Sequence, residues 1–383
     1  MKTSVRVILT VLCAAIILSM PLILTSPEKL ISARGSEQSQ TEILNAVTED
    51  DDSEVIDFDF SRLLFSVAAA EDALSPDDGL IVETVIDNGL FISSDWKLPI
   101  DFTPAPKPDS SRFTENGYED QSIRIRVETR QTDGITVNVA FVTIADPSQL
   151  RTAVAGNTKS QETGSVESIA RKAGAVIAMN GDLYIEKPEK KTFEVRMGET
   201  IRAKTNNMKD ILVIDDLGDF HLFIRSEGLH KNDKPYYISQ IKKEGRKIIN
   251  AFTFGPALVK DGILIDQTQN EAEYAYAPNY RNPRSAIGQT GKLQYVMVII
   301  SGSRETENGG ANIRELARIM ADLGCIQAYA LDGGNTAEMM MFGPEENGKA
   351  TVKYNFAGDL VAGGGRGQKD IIYFATAVPE SER

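Results

Sequence analysis

The sequence predicts an α+β domain on a mixed β-sheet with a few helices, preceded by an N-terminal membrane anchor and an acidic stalk. Three observations predict this. Residues 7–25 form an uncharged apolar run, acidic residues dominate residues 26–116, and strand-like segments then alternate with a few amphipathic helical ones. We therefore divide the chain of 383 residues into an anchor at 1–25, a stalk at 26–116 and one domain at 117–383.

The first segment has the features of a membrane anchor. Lys2 and Arg6 precede the apolar run VILTVLCAAIILSMPLILT, whose length is that of a membrane span. Basic residues on the short N-terminal side predict a cytoplasmic N-terminus and a domain outside the cytoplasm. A cleaved signal peptide with a small-residue site near Ser32-Ala33 is the alternative, and it would leave the protein secreted. We favour a retained, single-pass anchor in the cell membrane.

The second segment is strongly acidic. The whole chain has a net charge of −14, and residues 26–116 alone contain 20 acidic and 6 basic residues. The acidic run at 49–52 and the proline-rich run at 103–108 predict a largely flexible, self-repelling stalk. Apolar stretches at 58–70 and 80–92 are compatible with a helix or a small hairpin. No basic patch with interleaved aromatic residues occurs, so nucleic acid is not an expected partner.

The domain begins with a predicted β-hairpin. Residues 122–129 alternate apolar and polar side chains, Asp133-Gly134 is a turn signal, and residues 135–145 form the return strand. Further strands are expected at 175–179, 193–197, 210–215, 220–224, 251–259, 293–300, 325–331 and 371–378.

Two helices are predicted, each followed by a glycine, an apolar strand and a polar turn. The first helix begins at the N-cap Ser165 and ends at Gly174. The second begins at Asn312, has Glu315 at the reciprocal capping position, and ends at Gly324. The polar turns that follow are Asn180-Gly181-Asp182 and Leu331-Asp332-Gly333-Gly334-Asn335-Thr336. They are compatible with two ordinary αβ connections, or with ligand-binding elements at strand ends.

The composition restricts the chemistry. With 2 His and 2 Cys, a Ser/His/Asp triad or a zinc site would use almost all that the chain offers, so carboxylates, arginines and amides are expected to act. No cofactor is required. Ca²⁺ or Mg²⁺, which prefer oxygen ligands, would suit Asp182, Asp332 and nearby carbonyl oxygens, although no ligand spacing demands a metal.

Five short motifs follow one another in a specific order along the domain. They are Asn180-Gly181-Asp182, Gly255-Pro256-Ala257-Leu258-Val259-Lys260-Asp261-Gly262, Arg281-Asn282-Pro283-Arg284-Ser285-Ala286-Ile287-Gly288, Ser301-Gly302-Ser303-Arg304 and Leu331-Asp332-Gly333-Gly334-Asn335-Thr336. Over residues 122–378 this order resembles the phosphodiester glycosidase family. The resemblance implies a single phosphodiester-glycosidase-like domain. It also implies a hydrolase that cleaves sugar 1-phosphodiesters in cell-surface or exported glycans such as exopolysaccharides.

The resemblance also implies how the substrate's phosphate is held. The phosphodiester carries one negative charge, which a guanidinium binds through paired, charge-assisted hydrogen bonds. Arg284 is the first candidate and Arg304 the second, and the alternative for each is a surface ion pair. Arg366, in the glycine-flanked loop near the C-terminus, is a further candidate.

Carboxylates are the expected catalytic groups, since glycoside cleavage usually employs two of them. Asp332 is the leading candidate for nucleophile or base, with an Asx-turn cap as the alternative role. Asp182 or Glu338 would assist, and a good phosphate leaving group also allows one carboxylate with arginine support to suffice.

The remaining candidates contact the substrate. Asn180 and Asn335 would donate hydrogen bonds to sugar hydroxyls or phosphate oxygens, or else close their own turns. Gly181, Gly333 and Gly334 would let the ligand approach the main chain closely.

One departure from the family pattern affects the choice of function. Ser301 stands where the family commonly has an acidic residue, so a carboxylate that could be catalytic or metal-binding is missing, or Asp182 has taken over its role. Two alternatives to the glycosidase follow: a non-catalytic glycan-binding module of an envelope assembly, and a metal-dependent phosphodiesterase or transferase on the same scaffold.

Overall fold

A computed structural model of this chain describes eight stretches of sequence, which are 89–160, 162–182, 193–203, 209–224, 241–266, 280–303, 309–361 and 366–383. The predicted anchor and most of the predicted stalk lie outside these residues. The chain divides into two compact units, Met1–Val82 and Glu83–Arg383, and the described residues all belong to the second. Within these stretches, no helix has the length and apolar character needed to cross a bilayer.

The strands of the described residues are numbered here in chain order. They are β1 (Phe113–Thr114), β2 (Gly117–Glu119), β3 (Ile123–Thr132), β4 (Ile135–Ile144), β5 (Leu150–Val154), β6 (Ile177–Asn180), β7 (Phe193–Arg196), β8 (Glu199–Ala203), β9 (Ile211–Asp215), β10 (Phe220–Phe223), β11 (Ile248–Phe252), β12 (Ala257–Lys260), β13 (Ile263–Leu264), β14 (Arg284–Gly291), β15 (Gln294–Ser301), β16 (Gln327–Leu331), β17 (Glu338–Glu346), β18 (Lys349–Ala357) and β19 (Asp370–Phe374). The α-helices with described bounds are α1 (Val166–Ala173) and α2 (Ile313–Asp322).

In the described part of the chain these strands form three sheets. The first sheet has the order β1-β2-β3-β4-β15-β14-β16-β12-β13, the second β10-β9-β11-β7-β8, and the third β18-β17-β6-β19-β5. Every pairing between these strands is antiparallel. Among the described residues, parallel geometry occurs at the isolated bridge between Gly302 and Asp359.

The prediction of an α+β domain on a mixed sheet was therefore wrong: the described residues form a β-rich fold of antiparallel sheets. The two helix–glycine–strand units were interpreted as αβ connections or as ligand-binding elements at strand ends, and an αβ connection often belongs to a crossover between parallel strands. In the structure, the strand after each helix instead pairs antiparallel with distant segments. Strand β6 lies between β17 and β19, and β16 lies between β14 and β12.

The predicted strand at 251–259 is also corrected. It consists of two strands in different sheets, because β11 ends at Phe252 and β12 begins at Ala257. Between them Gly255 takes a φ of 69°, which glycine adopts without strain, and Pro256 has no N–H for a sheet ladder. The chain therefore turns here and passes from the second sheet to the first.

The predicted helix caps are confirmed. The Ser165 side chain accepts a hydrogen bond from Ser168 N at 3.1 Å, and Gly174 ends α1 in the left-handed conformation with a φ of 73°. Asn312 and Glu315 form a reciprocal capping box at the start of α2. Each cap and the N–H group it bonds are close in sequence, which explains why the caps could be predicted without the structure.

Buried side chains lie in layers within this unit. Alternate residues of the first sheet, such as Met297 and Tyr329, share a central core with alternate residues of the third, such as Met179 and Phe374. Helix α2 covers the opposite face of the first sheet, and α1 covers the opposite face of the third. The strands that precede the two polar turns, β6 and β16, thus belong to facing sheets.

Part of the chain before residue 117 is packed into the core of this unit. Leu98 and Ala105 belong to the core that α1 covers. Arg151 is fully buried and donates hydrogen bonds of 2.8, 2.8 and 3.1 Å to three main-chain carbonyls between Pro99 and Thr103. The boundary of the stalk at 116 and its flexibility upstream remain predictions from the sequence.

Candidate functional site

The two polar turns identified in the sequence contact each other. The Asn180 side chain donates a hydrogen bond to the main-chain oxygen of Asp332 at 2.8 Å, and Asp332 N donates to the main-chain oxygen of Gly181 at 3.4 Å. One turn follows β6 of the third sheet and the other follows β16 of the first. The candidate site therefore lies where the ends of two facing sheets meet.

Asn180 is fully buried and holds these elements in place. Its Nδ2 group also donates to Ser285 Oγ at 3.2 Å, and its Oδ1 accepts from Glu338 N at 3.1 Å. Ser285 Oγ in turn donates to the Asp332 main-chain oxygen at 2.7 Å. The amide, predicted to contact substrate, thus makes hydrogen bonds within the protein that fix the position of Asp332.

The glycines after Asp332 are required by close packing. A Cβ on Gly333 would lie 2.7 Å from the main-chain oxygen of Pro283, closer than real Cβ contacts. Gly334 has a φ of 66° and its N–H donates to the same oxygen at 2.8 Å. These residues therefore let the turn press against the start of β14.

The Asp332 carboxylate lies beside the Arg366 guanidinium at the surface of the site. Their nearest atoms, Oδ2 and Nη2, are 3.6 Å apart, and 11% of the Asp332 side chain and 53% of the Arg366 side chain are exposed. Arg366 N donates to the main-chain oxygen of Asn335, an exposed residue, at 3.0 Å. A largely buried carboxylate, whose Oδ2 is closed to solvent, thus stands next to an exposed cation, and the exposed cation suits an anionic ligand.

The other arginine candidates have different environments. Arg284 begins β14, and its guanidinium donates to the main-chain oxygens of Ala311 at 3.0 Å and Tyr280 at 2.7 Å. Arg304 lies outside the described residues. Arg366 is therefore the candidate cation that the described structure brings to Asp332.

The two candidate partners of Asp332 lie on different faces of the third sheet. Glu338 is buried at the start of β17, in phase with Met340, whose side chain packs in the core under α1. Burial and the nearby Glu167 of α1 raise the pKa of Glu338. Asp182 is directed instead towards the second sheet, where it accepts a hydrogen bond from Thr253 N at 2.8 Å.

A buried ion-pair network extends from Asp182, and two of its members were not predicted from the sequence. Arg196, at the end of β7, donates from Nη2 to Asp182 Oδ1 at 2.5 Å and from Nε to Asp370 Oδ2 at 2.6 Å. Its Nη1 donates to the main-chain oxygens of Val195, at 3.0 Å, and Ala251. The guanidinium also lies 4.1 Å from the centre of the Phe252 ring, and the Arg196 side chain is fully buried.

Asp370 connects this network to the turn. A Cβ on Gly181 would lie 2.4 Å from Asp370 Oδ1, so Gly181 is in direct contact with the carboxyl group. Burial, followed by the charges of Asp182 and Asp332, raises the pKa of Asp370 to about 7 against the opposing effect of Arg196. A carboxyl group able to hold a proton near neutral pH is thus part of the site.

Ser301, at which the resemblance leads us to expect an acidic residue, has a well-defined structural role. Its Oγ accepts a hydrogen bond from Asn138 Nδ2 at 2.9 Å and donates to the main-chain oxygen of Ala357 at 3.0 Å. The hydroxyl therefore joins β15 to β4 and to the end of β18.

Metal binding stays a prediction from the sequence. Within the described stretches, no group of three or more His, Cys, Asp or Glu side chains is arranged to hold a metal ion.

The missed residues left little signal in the sequence. In Phe193-Glu194-Val195-Arg196 the charged side chains alternate with apolar ones, which is typical of a strand with one solvated face. In the structure both faces of β7 are buried. The one signal for an ion pair was the presence of two charged residues, Glu194 and Arg196, in a short strand that is otherwise apolar.

Comparison with known proteins relates the chain to one family. The sequence profile of the phosphodiester glycosidase family matches residues 173–372. The bovine (Bos taurus) N-acetylglucosamine-1-phosphodiester alpha-N-acetylglucosaminidase is 22% identical over 199 residues, which are 49% of this chain and 35% of the bovine protein. The SPbeta prophage-derived protein YomE of Bacillus subtilis is 32% identical over 94 residues, or 24% of this chain and 14% of that protein. The matches thus span about a third or less of the length of these relatives.

The solved structures similar to this chain include the following two. The catalytic domain of zebrafish N-acetylglucosamine-1-phosphodiester alpha-N-acetylglucosaminidase aligns with a TM-score of 0.47 and 15% identity, covering 71% of this chain and 87% of that one. A hypothetical protein from Synechocystis aligns with a TM-score of 0.41 and 15% identity, covering 66% and 62%.

Proposed function

This chain belongs to the phosphodiester glycosidase family, and we propose on that basis that it is a hydrolase of sugar 1-phosphodiesters in cell-surface or exported glycans. The reaction adds water to the anomeric carbon and breaks its bond to the phosphate oxygen. The oxygen of water becomes the sugar hydroxyl, and the electron pair of the broken bond leaves with the phosphate monoester.

The observation that carries this proposal is the pairing of Asp332 with Arg366. The substrate has one negative charge, and Arg366 offers an exposed guanidinium for its phosphate oxygens. Asp332, 3.6 Å from that cation, is placed to take the proton of the attacking water or to attack the anomeric carbon itself. Asn180, Gly181, Gly333 and Gly334 would serve this chemistry by holding Asp332 at the meeting point of the sheets.

The proposed location is outside the cytoplasm. It rests on the apolar run of residues 7–25 with Lys2 and Arg6 ahead of it. Fractionation of cells together with protease treatment of intact cells tests it. A protein found in the membrane fraction and cut from outside supports a retained anchor, and release into the medium supports a cleaved signal. Protection from protease in intact cells would refute both.

The test of activity uses the full chain and a panel of glycosyl 1-phosphodiesters that differ in sugar and in the group beyond the phosphate. At least one member is expected to be hydrolysed. Asp332→Asn is expected to lower kcat/KM by at least about a hundredfold, or about 2.7 kcal/mol of barrier. The matched control is Asp133→Asn, in the exposed β3–β4 turn, where Asp133 has a φ of 50° that Asn also tolerates. A tenfold loss or less in Asp332→Asn would show that another group is the catalytic carboxylate.

The position of bond cleavage separates the glycosidase from a phosphodiesterase on the same scaffold. Hydrolysis in water labelled with heavy oxygen places the label on the sugar if the carbon–oxygen bond breaks, and on the phosphate if the phosphorus–oxygen bond breaks. We expect label on the sugar. Label on the phosphate, together with loss of activity in EDTA, would favour metal-assisted chemistry at phosphorus.

The second candidate function is a non-catalytic glycan-binding module, which the serine at 301 favours because the carboxylate common in the family is missing there. This alternative predicts that the chain binds the glycosyl phosphodiesters of the panel without turning any of them over. Binding with no product at any pH tested would establish it in place of the hydrolase.

A further inference from the structure

Among the residues that the structure describes, the buried network around Arg196 contains more acid than base. Asp182 and Asp370 both contact the single guanidinium, and the exposed side-chain fractions of Asp182, Asp370 and Arg196 are 2%, 1% and 0%. Two ionised carboxylates and one guanidinium would leave one negative charge without compensation in a site closed to water. Such a charge is costly, and binding of a proton by one carboxyl group removes it.

The hydrogen bonds indicate which carboxyl group holds the proton. Asp182 accepts from Arg196 at one oxygen and from Thr253 N at the other, so both oxygens act as acceptors. Asp370 accepts from Arg196 at Oδ2, whereas its buried Oδ1 has no hydrogen-bond partner among the described residues. The proton therefore belongs on Asp370 Oδ1. The raised pKa of Asp370 agrees with this assignment.

The charged groups around Asp370 come from three separate elements. Arg196 lies on β7, Asp182 follows β6, and Asp332 follows β16. On the β5 side its register partner is Val154, which has no charge. The residue before it, Lys369, interacts electrostatically with Glu162. The net charge next to the Gly181–Asp332 contact thus depends on whether Asp370 carries its proton.

We propose that Asp370 is a positioning residue that must carry its proton for the site to accept an anionic phosphodiester beside Asp332 and Arg366. The identity of the ligand rests on the proposed function; the position of the proton does not. With Asp370 neutral, Arg196 balances Asp182 and Arg366 balances Asp332. Loss of the proton adds one buried negative charge behind the site and repels the anion.

The proton itself can be observed without substrate. In the full chain with isotope-labelled aspartate carboxyl carbons, nuclear magnetic resonance is expected to show one carboxyl that titrates near pH 7 in the wild type and is missing in Asp370→Asn. Because linkage is reciprocal, saturating dimethyl phosphate is expected to move that titration to higher pH. If every aspartate carboxyl of the wild type titrates below about pH 5, close to its ordinary range, the proposal is overturned.

The functional consequence is tested with the same probe. Dimethyl phosphate keeps one negative charge across the neutral range, so a change in its Kd reports on the protein. We expect the wild-type Kd to rise by up to about tenfold per pH unit above pH 7, and the Asp370→Asn Kd to stay constant. A purely structural Asp370 would leave the two pH profiles parallel, and such profiles, or no binding by the wild type at any pH, would refute the proposal. A titrating Asp370 with pH-dependent binding but no turnover would instead count against the hydrolase alone.

Discussion

Replacement of Arg196 by methionine is the sharpest test of how the site is held together. Arg196→Met keeps an unbranched, apolar side chain over the Phe252 ring but removes the charge between Asp182 and Asp370. It also removes the hydrogen bonds to the main-chain oxygens of Val195 and Ala251. The two carboxyl groups would then remain buried without their cation.

The magnitude follows from that burial. Removal of one partner from a buried ion pair costs about 3–5 kcal/mol, because the other charge is left without compensation. A domain has a total free energy of unfolding of about 5–15 kcal/mol, so the variant is expected to lose a large part of its stability. Urea unfolding of wild type and variant at constant pH measures the difference.

The loss is expected to grow with pH. Arg196 holds the pKa of Asp370 down, so its removal raises that pKa further above the unfolded value. A carboxyl group whose pKa is higher in the folded than in the unfolded protein stabilises the fold fully at a pH below its unfolded-state pKa. This stabilisation is lost as the pH rises through its folded-state pKa. The variant should therefore lose more stability relative to wild type at about pH 8 than at about pH 5.

The control is an arginine in an exposed pair. Arg124 lies 2.8 Å from Glu119, with 46% and 49% of their side chains exposed, so Arg124→Met should cost about 0–1 kcal/mol. If Arg196→Met also cost less than about 1 kcal/mol, with no dependence on pH, the network would not be the buried, charge-balanced unit described above.

Three further substitutions test the packing and the anion site. Gly181→Ala would place a Cβ 2.4 Å from Asp370 Oδ1 and should lower the free energy of unfolding by about 1–3 kcal/mol, measured in urea; a neutral result would contradict the close contact. Arg366→Met should raise KM for a phosphodiester by about tenfold, or about 1.4 kcal/mol, with a small effect on stability. Arg284→Met should instead lower stability with a small effect on KM, because Arg284 donates to two main-chain carbonyls. An unchanged KM in Arg366→Met would remove Arg366 from the proposed site.

The sequence was informative where structure depends on neighbouring residues. Ser165 and Asn312 were identified as caps because a cap and the N–H it bonds lie three residues apart. The turn at Asp332 was selected because it combines a charged group at a strand end with two glycines, whose main chain a neighbour can approach closely. That turn does lie against the Asn180 turn in the structure.

The sheet partners and half of the ion-pair network depend on residues far apart in the chain. Asp370 and Arg196 are separated by 174 residues, and neither has a local signal that selects the other. The antiparallel neighbours of β6 come from β17 and β19, more than a hundred residues later. A helix followed by a strand says nothing about which strand lies next to it, and this is why the mixed sheet was predicted in error.

The buried position of Arg151 has a consequence for handling the protein. A fragment that starts at residue 117 would lose Leu98 and Ala105 from the core and the carbonyl oxygens that accept from the Arg151 guanidinium. Buried donors left unpaired favour unfolding and exposure of apolar surface, so such a fragment is expected to aggregate on expression. A start upstream of residue 98 keeps those acceptors, and in limited proteolysis the same contacts should shield residues 98–105 while sites nearer the N-terminus are cut first.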